Sequence, residues 1–336
     1  MLKIFIGYQQ MLVAYFFYCK FVKTFTMKKI LLFTLSLLLA LTTFAQEQPN
    51  EIEISSRALR LKQDLTRGGA ICYISKSSDE RNLVNICDEG RYIQQSYYAG
   101  NVVNRQNEGQ CPTWSPWAWN PIQVGDYARN RAQILKHSTN GKKSYVKCIP
   151  MQWDMNNHPA EAIMEQWTTI KGNVIHVKNR LTCQRTDSLY GEGVESNQEI
   201  PAVYLISALK NLHSYFGTKP FTGERTEQTE VKQIIIGDPE HFWGSYPTIP
   251  EHWMAFTDDN GWGVAVYSPS ATHFLAGRFG DNLEGDAHSA ATSYIAPLRR
   301  ERLTKNSVVE YDYYLIVGSI EQIRAEIYKI NKKEKH

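Results

Sequence analysis

Apolar residues along this chain come in short runs punctuated by Gly, Pro, Asn and Asp, and a spacing of three or four residues is sustained almost nowhere. Such punctuation marks strands joined by turns. The runs at 70–75, 92–98, 145–150, 162–170, 174–181, 202–207, 233–236, 253–257, 263–267 and 308–317 predict strands. Within 174–181, Ile175 and Val177 alternate with His176, Lys178 and Arg180, so one face turns toward a core and the other carries a polar stripe. Lys171-Gly172-Asn173 predicts the turn between two of these strands. Asp258-Asp259-Asn260-Gly261 predicts a hairpin whose Asn and Gly take positive φ. Only 320–329 has helical spacing, with Ile320, Ile323, Ile327 and Ile330 on one side, and a helix capping a sheet is expected there. The fold class is therefore mostly β, a large antiparallel sandwich with a short C-terminal helix. No internal repeat and no Pro/Gly/Ser linker divides the body, so residues 46–336 are expected to form a single domain, ending in the solvated tail Lys332-Lys333-Glu334-Lys335-His336.

The N-terminus breaks this pattern. Met27-Lys28-Lys29-Ile30, an apolar stretch to Thr43 and then Phe44-Ala45-Gln46 read as a secretory signal. Its apolar run, 30–41, has 12 residues, short of the roughly 20 that a bilayer core requires. Residues 1–26 read as an upstream extension, although 11–25 is apolar enough to leave a second membrane segment open. No Cys follows the apolar run, which disfavours a lipid anchor. A mature chain starting near Gln46, secreted or periplasmic and without a membrane span, is expected.

The leader also distorts the charge. The whole chain carries 37 Lys and Arg against 34 Asp and Glu, but residues 1–45 hold five Lys and no acid. The remaining 37 − 5 = 32 basic residues against 34 acidic ones give −2. A near-neutral body lacks the footprint of a nucleic-acid binder. Beyond the leader, Cys72, Cys87, Cys111, Cys148 and Cys183 form no C-x-x-C pair, which argues against zinc or haem. An odd number leaves at least one thiol unpaired, and both small buried apolar residues and one or two disulfides fit. No metal and no cofactor is expected.

Aromatic residues are concentrated where the chain is least regular. Trp114, Trp117 and Trp119 are interrupted by Pro112, Pro116 and Pro121, which excludes a central strand and predicts a loop. Flat rings on a β scaffold can stack on sugar faces, with Asn120, Gln123 and Asp126 beside them to bond hydroxyls; capping the core is the alternative. Trp243, Tyr246, Trp253 and Trp262, with His241 and His252, form a second group, in which Trp262 is expected to pack in the core.

Several segments carry titratable chemistry. Glu192, Glu195 and Glu199 lie in the stretch before the apolar run 202–206, where a loop at a strand edge can hold catalytic groups on a rigid frame. Glu199, against Ile200-Pro201, is the one expected to be fixed and partly buried, and burial can divide acid and base roles between carboxyls. His176, Lys178 and Arg180 could line a concave sheet or an exposed face. Arg91, Gln95 and Tyr97 share one face by strict alternation and could line a wet cleft, or belong to an edge strand. Tyr204, His213, Tyr215, His273, His288 and Tyr294 are further acid–base candidates. No HExxH, GxSxG, GxGxxG or GKS/T pattern is present.

Gly68-Gly69-Ala70-Ile71-Cys72-Tyr73-Ile74, followed by Asn82-Leu83-Val84-Asn85 and Asp88-Glu89-Gly90-Arg91, resembles the opening of galactose-mutarotase-like domains. Gln198-Glu199-Ile200-Pro201-Ala202-Val203-Tyr204 and the segment from Asp259 to Tyr267 are similar to secreted bacterial proteins with such folds. The resemblance implies a twisted β-supersandwich with a carbohydrate cleft, in a group whose members epimerise sugars, cleave glycosidic bonds by hydrolysis or elimination, or only bind. The chain departs from the aldose 1-epimerases proper, whose paired His and late Glu have no match here by spacing.

Together these features predict an extracytoplasmic enzyme acting on a polysaccharide or oligosaccharide. Trp114, Trp117 and Trp119 would serve as platforms, and Glu199 with His176 or His213 would transfer protons. In an elimination, Arg91 or Gln95 would neutralise a uronate and Tyr204 or His213 would take the ring proton. A non-catalytic sugar-binding protein, or an epimerase, are the alternatives.

Overall fold

The computed structural model describes residues 49–186, 188–193, 195–234 and 243–334. The leader with its signal pattern, His241, the end of the run at 233–236 and the last two residues of the tail lie outside them. By its contacts the chain divides at Pro49, and residues 50–336 make one compact unit. No described helix is long and apolar enough to cross a membrane.

Two large sheets build this unit. The first runs Glu51–Ser55, Leu59–Asp64, Ala70–Lys76, Ile93–Ser96, Ser196–Ile206, Thr292–Glu301, His273–Phe279 and Gln233–Ile234. The second runs Glu227–Thr229, Asn211–Ser214, Trp253–Thr257, Trp262–Tyr267, Val308–Ser319, Val174–Cys183, Ala162–Lys171, Lys143–Ile149 and Gln133–Thr139. Pairing is antiparallel except between Gln233–Ile234 and His273–Phe279. One apolar core draws on the inner faces of both sheets, with Leu61, Ile71, Ile93, Val203 and Ile295 from the first against Val146, Met164, Val177, Phe256 and Leu315 from the second.

The second sheet follows the alternation rule. Along Val174–Cys183 every second residue is buried and its neighbours are half-exposed. Its hairpins are tight. Gly172, at φ 59°, lies in the two-residue link that pairs Lys171 with Val174. The Asp258 turn is a three-residue loop in which Gly261, at φ 70°, is left-handed while Asn260 is not; Asp258 Oδ1 accepts from the Asn260 and Trp262 amides instead. Only one positive φ was needed there. Trp262 is half-buried against the core, with Lys76 Nζ 3.7 Å from its ring centre.

The first sheet is different, because strands such as Ile93–Ser96 and Thr292–Glu301 are buried on both faces. Ala99–Val103 pairs with Trp117–Trp119 as a small separate sheet, from which Ala99 and Trp119 join the core while Trp117 turns to the cavity described below. Ala202, Tyr294, Ala296 and Leu298 make a separate apolar cluster on the outer face of the first sheet.

The C-terminal helix runs Ile320–Glu334, longer than its isoleucine spacing predicts. Ser319 and Gln322 cap it reciprocally: Ser319 Oγ accepts from the Gln322 amide, and Gln322 Oε1 accepts from the Ser319 amide at 3.0 Å. Ile323 and Ile327 bury against Trp253, Ala265, Tyr267 and Ile316. Fully buried Glu251 clamps the helix, accepting from Arg324 at 2.8 Å and from Tyr328 at 2.7 Å, as well as from the Trp253 indole at 2.9 Å. Burial alone would raise its pKa; these donors hold it below the usual carboxylate value.

The described cysteines are all free thiols with no disulfide among them; Cys72, Cys148 and Cys183 are buried, as small apolar residues would be, while Cys87 and Cys111 are half-buried. Burial pushes the Cys148 thiol up to about 12 and Cys183 to about 11, which leaves both inert.

Candidate functional site: an aromatic cavity over one carboxyl

A cavity of about 730 Å³ opens on the outer face of the first sheet. Its wall starts from the Pro-rich loop. Trp114 ends a 3-10 turn over Pro112–Trp114, and Trp117 begins the short strand that pairs with Ala99–Val103. Trp114 meets Trp117 edge to face at 5.3 Å and Trp153 at 5.9 Å, the geometry that ring quadrupoles favour. Asn120 fixes this wall by accepting from Trp117 Nε1 at 3.1 Å and donating to the Tyr97 carbonyl at 2.7 Å. Tyr98, Tyr127, Tyr204, Trp243 and Phe279 extend the aromatic lining.

Among these rings lies Glu199. It occupies the strand Ser196–Ile206, paired with Ser96 on one side and Leu298 on the other. The flanking sequence is therefore strand from Ser196 onward rather than the edge loop expected. Between Glu199 and Ala202 the register slips at Ile200 and Pro201. Ile200 and Val203 consequently point into the core, while Ala202 packs on the outer face and Glu199 and Tyr204 line the cavity. A proline in a central strand is tolerated at such a bulge, where no ladder bond is required of it.

Burial raises the Glu199 carboxyl above its ordinary range, and the Ser96 and Tyr294 hydroxyls offset part of that rise by favouring the carboxylate. Tyr294 donates to Glu199 Oε1 and is held by Tyr204 at 4.6 Å and Trp243 at 4.5 Å. Burial first, and then the Glu199 charge, pushes the Tyr98, Tyr204 and Tyr294 phenols upward. They are neutral donors, poor bases, around a carboxyl that keeps its proton more readily than usual.

Charged groups also reach the lining. Arg91, 9% exposed, places Nε 3.1 Å from Asp88 Oδ2. Glu89 takes Arg67 at 2.6 Å and Arg129 at 3.6 Å. Among the described residues no group of three or more His, Cys, Asp or Glu is arranged to hold a metal ion.

Of the residues singled out from sequence, Arg91, Trp114, Trp117, Asn120, Glu199 and Tyr204 meet in this cavity. The others lie elsewhere. Gln95 and Tyr97 point into the sandwich, where Tyr97 donates to Gln95 Oε1 at 2.8 Å and Gln95 donates to the Glu165 carbonyl. The cause is Tyr92, whose φ of 69° breaks the alternation between Arg91 and the strand. Trp119 is 2% exposed and packs in the core beneath Arg185. Asp126 is buried and organises its own loop, accepting from the Ala128, Asn130 and Asn157 amides. His176 is on the solvent face of the second sheet, 2.7 Å from Asp312 and stacked on Tyr314, with Lys178 paired to Glu310. His213 is in the second sheet too, against Thr257 Oγ1 at 3.1 Å. Tyr98, Trp153 and Trp243 line the cavity without having been placed there by sequence; only Trp243 stood out, as part of an aromatic group that the fold disperses.

No family model matches the sequence, and no curated protein matches it either. Solved structures do. A galactose mutarotase related enzyme from Lactobacillus acidophilus matches at 7% identity and a TM-score of 0.48, covering 80% of this chain and 97% of that one. The solved structures similar to this chain include several galactose mutarotase-like proteins. One of them, from Lactobacillus casei, matches at 8% identity and a TM-score of 0.45, covering 80% of this chain and 99% of its own. A 4-alpha-glucanotransferase from Thermococcus litoralis matches at 10% identity and 0.43, over 81% of this chain and 38% of that one.

Proposed function

We propose that this protein is an extracytoplasmic carbohydrate-active enzyme that cleaves glycosidic bonds in the aromatic cavity, with Glu199 as the proton donor. The observation that carries this reading is a half-buried carboxyl, Glu199, raised in proton affinity and ringed by phenols, in a cavity walled by tryptophans. Sugar rings would stack on Trp114, Trp117 and Trp153, where an aromatic face matches the C–H face of a pyranose. Protonated Glu199 would give its proton to the glycosidic oxygen as the C–O bond breaks, and Tyr294 would then bond the carboxylate left behind.

Hydrolysis also needs an ionised carboxylate to steer water or to attack carbon. Asp88 fits that role better than Glu89, because Glu89 is engaged by two arginines while Asp88 remains 45% exposed. Elimination is the less suitable route, since Tyr204, the base it would use, is held neutral by burial and by Glu199. The signal-like pattern around Met27 supports work outside the cytoplasm.

Incubation with neutral and uronate-containing polysaccharides tests the assignment. New reducing ends without ultraviolet-absorbing unsaturated products support hydrolysis, and unsaturated products support elimination. Binding with no product from any polysaccharide would mean capture only.

A further inference from the structure

Arg91 is built into the cavity more firmly than a general sugar-binding group needs to be. Its guanidinium is clamped from three directions: Nε is 3.1 Å from Asp88 Oδ2, and Nη1 donates to Asn85 Oδ1 at 3.3 Å and to the Ser289 carbonyl at 3.4 Å. Asn85 is itself immobilised, fully buried and donating to the Ser289 and Ala291 carbonyls at 2.9 Å each. The Phe279 ring lies 5.7 Å from the guanidinium carbon. Among the described residues, Nη2 has no acceptor, although the side chain is only 11% exposed and lines the cavity. A rigid cation with one nitrogen left over can give a carboxylate or sulfate oxygen a charge-assisted hydrogen bond from a fixed position.

The balance of charge permits such a group. Arg91 and Arg129 line the cavity with Asp88 and Glu89, so the lining is neutral while Glu199 keeps its proton and has no surplus carboxylate to repel an anion.

We propose that the cavity selects acidic sugars, with Arg91 Nη2 taking the negative substituent, a carboxylate or a sulfate, on the sugar bound beside Glu199. This rests on the reading of the cavity as a saccharide site. An anionic substrate would also help Glu199 keep its proton, since a second negative charge nearby disfavours ionisation.

Titration of the Glu199→Gln protein, followed by tryptophan fluorescence, tests it, because Trp114, Trp117, Trp153 and Trp243 all line the cavity. The probes are matched neutral, uronate and sulfated oligosaccharides of gluco and galacto configuration. The expected result is at least a tenfold preference for one acidic series over its neutral counterpart. Which series wins distinguishes carboxylate from sulfate. Arg91→Met added to this background should abolish the preference while leaving neutral-sugar binding in place, and Arg91→Lys should retain part of it. Equal binding of neutral and acidic probes, or a preference that survives Arg91→Met, overturns the inference while the saccharide reading stands. Absence of response to any saccharide overturns both. Should Arg91→Met fail to fold, the comparison of probes and Arg91→Lys still decides.

Discussion

Glu199 and Tyr204 line the same cavity although five positions separate them in one strand, an odd interval that regular alternation would place on opposite faces. The slip at Ile200-Pro201 reconciles them. It moves a carboxyl that alternation back from Tyr204 would turn into the core beside Val203 out to the face where Tyr204 and Tyr294 stand.

Activity should fall as pH rises through the Glu199 pKa, because the protonated carboxyl is the active form. Since burial raises that pKa, the midpoint of the alkaline limb should lie above the value of about 4.3 typical of a free glutamate. A pH profile of kcat measures it. A midpoint at or below the free value would remove Glu199 from the role of acid.

The same environment has a stability signature of definite sign. A carboxyl that binds its proton more tightly when folded supports the fold at low pH, and that support is lost as pH rises from the unfolded pKa through the folded one. Glu199→Gln should therefore be the more stable protein at neutral pH, by about 1.4 kcal/mol for each tenfold gain in proton affinity, and equal to the parent below about pH 4. Urea unfolding at both pH values checks it.

Sequence reading recovered what regular alternation and turns encode. The ten-residue strands Ala162–Lys171 and Val174–Cys183, their Gly172 turn and the isoleucine face of the C-terminal helix were legible because nothing interrupts their periods. The site was legible only in part, since two irregularities decide which residues face it. The left-handed Tyr92 turned Gln95 and Tyr97 inward, and the slip at Ile200-Pro201 turned Glu199 outward. Trp153 and Trp243 reach the cavity from distant segments, and no local pattern signals that kind of approach. His176 and His213 look suited to proton transfer in isolation, yet both sit in the second sheet.

The tryptophans of the Pro-rich loop should separate into two kinds. Trp114→Ala removes the ring that joins Trp117 to Trp153 and should weaken saccharide binding roughly three- to tenfold, with little change in stability. Trp119→Ala empties part of the core and should cost about 3–5 kcal/mol. Paired binding and unfolding curves test this contrast; a Trp114→Ala protein that binds like the parent would contradict it.

Loss of the helix clamp should affect stability alone. Glu251→Gln leaves Arg324 without its carboxylate in a largely buried position and should cost about 3 kcal/mol, with early proteolysis in the C-terminal helix. Catalysis measured well below the unfolding transition should be unchanged. A loss under about 1 kcal/mol would show the clamp to be dispensable.

The most direct test of the central claim compares the parent and Glu199→Gln proteins on the same polysaccharides, reading reducing ends for turnover and tryptophan fluorescence for occupancy. The parent should release product, and the variant should bind equally well but release less by about two to four orders of magnitude, the contribution of a general acid. Product release by the variant at the parent's rate would contradict it.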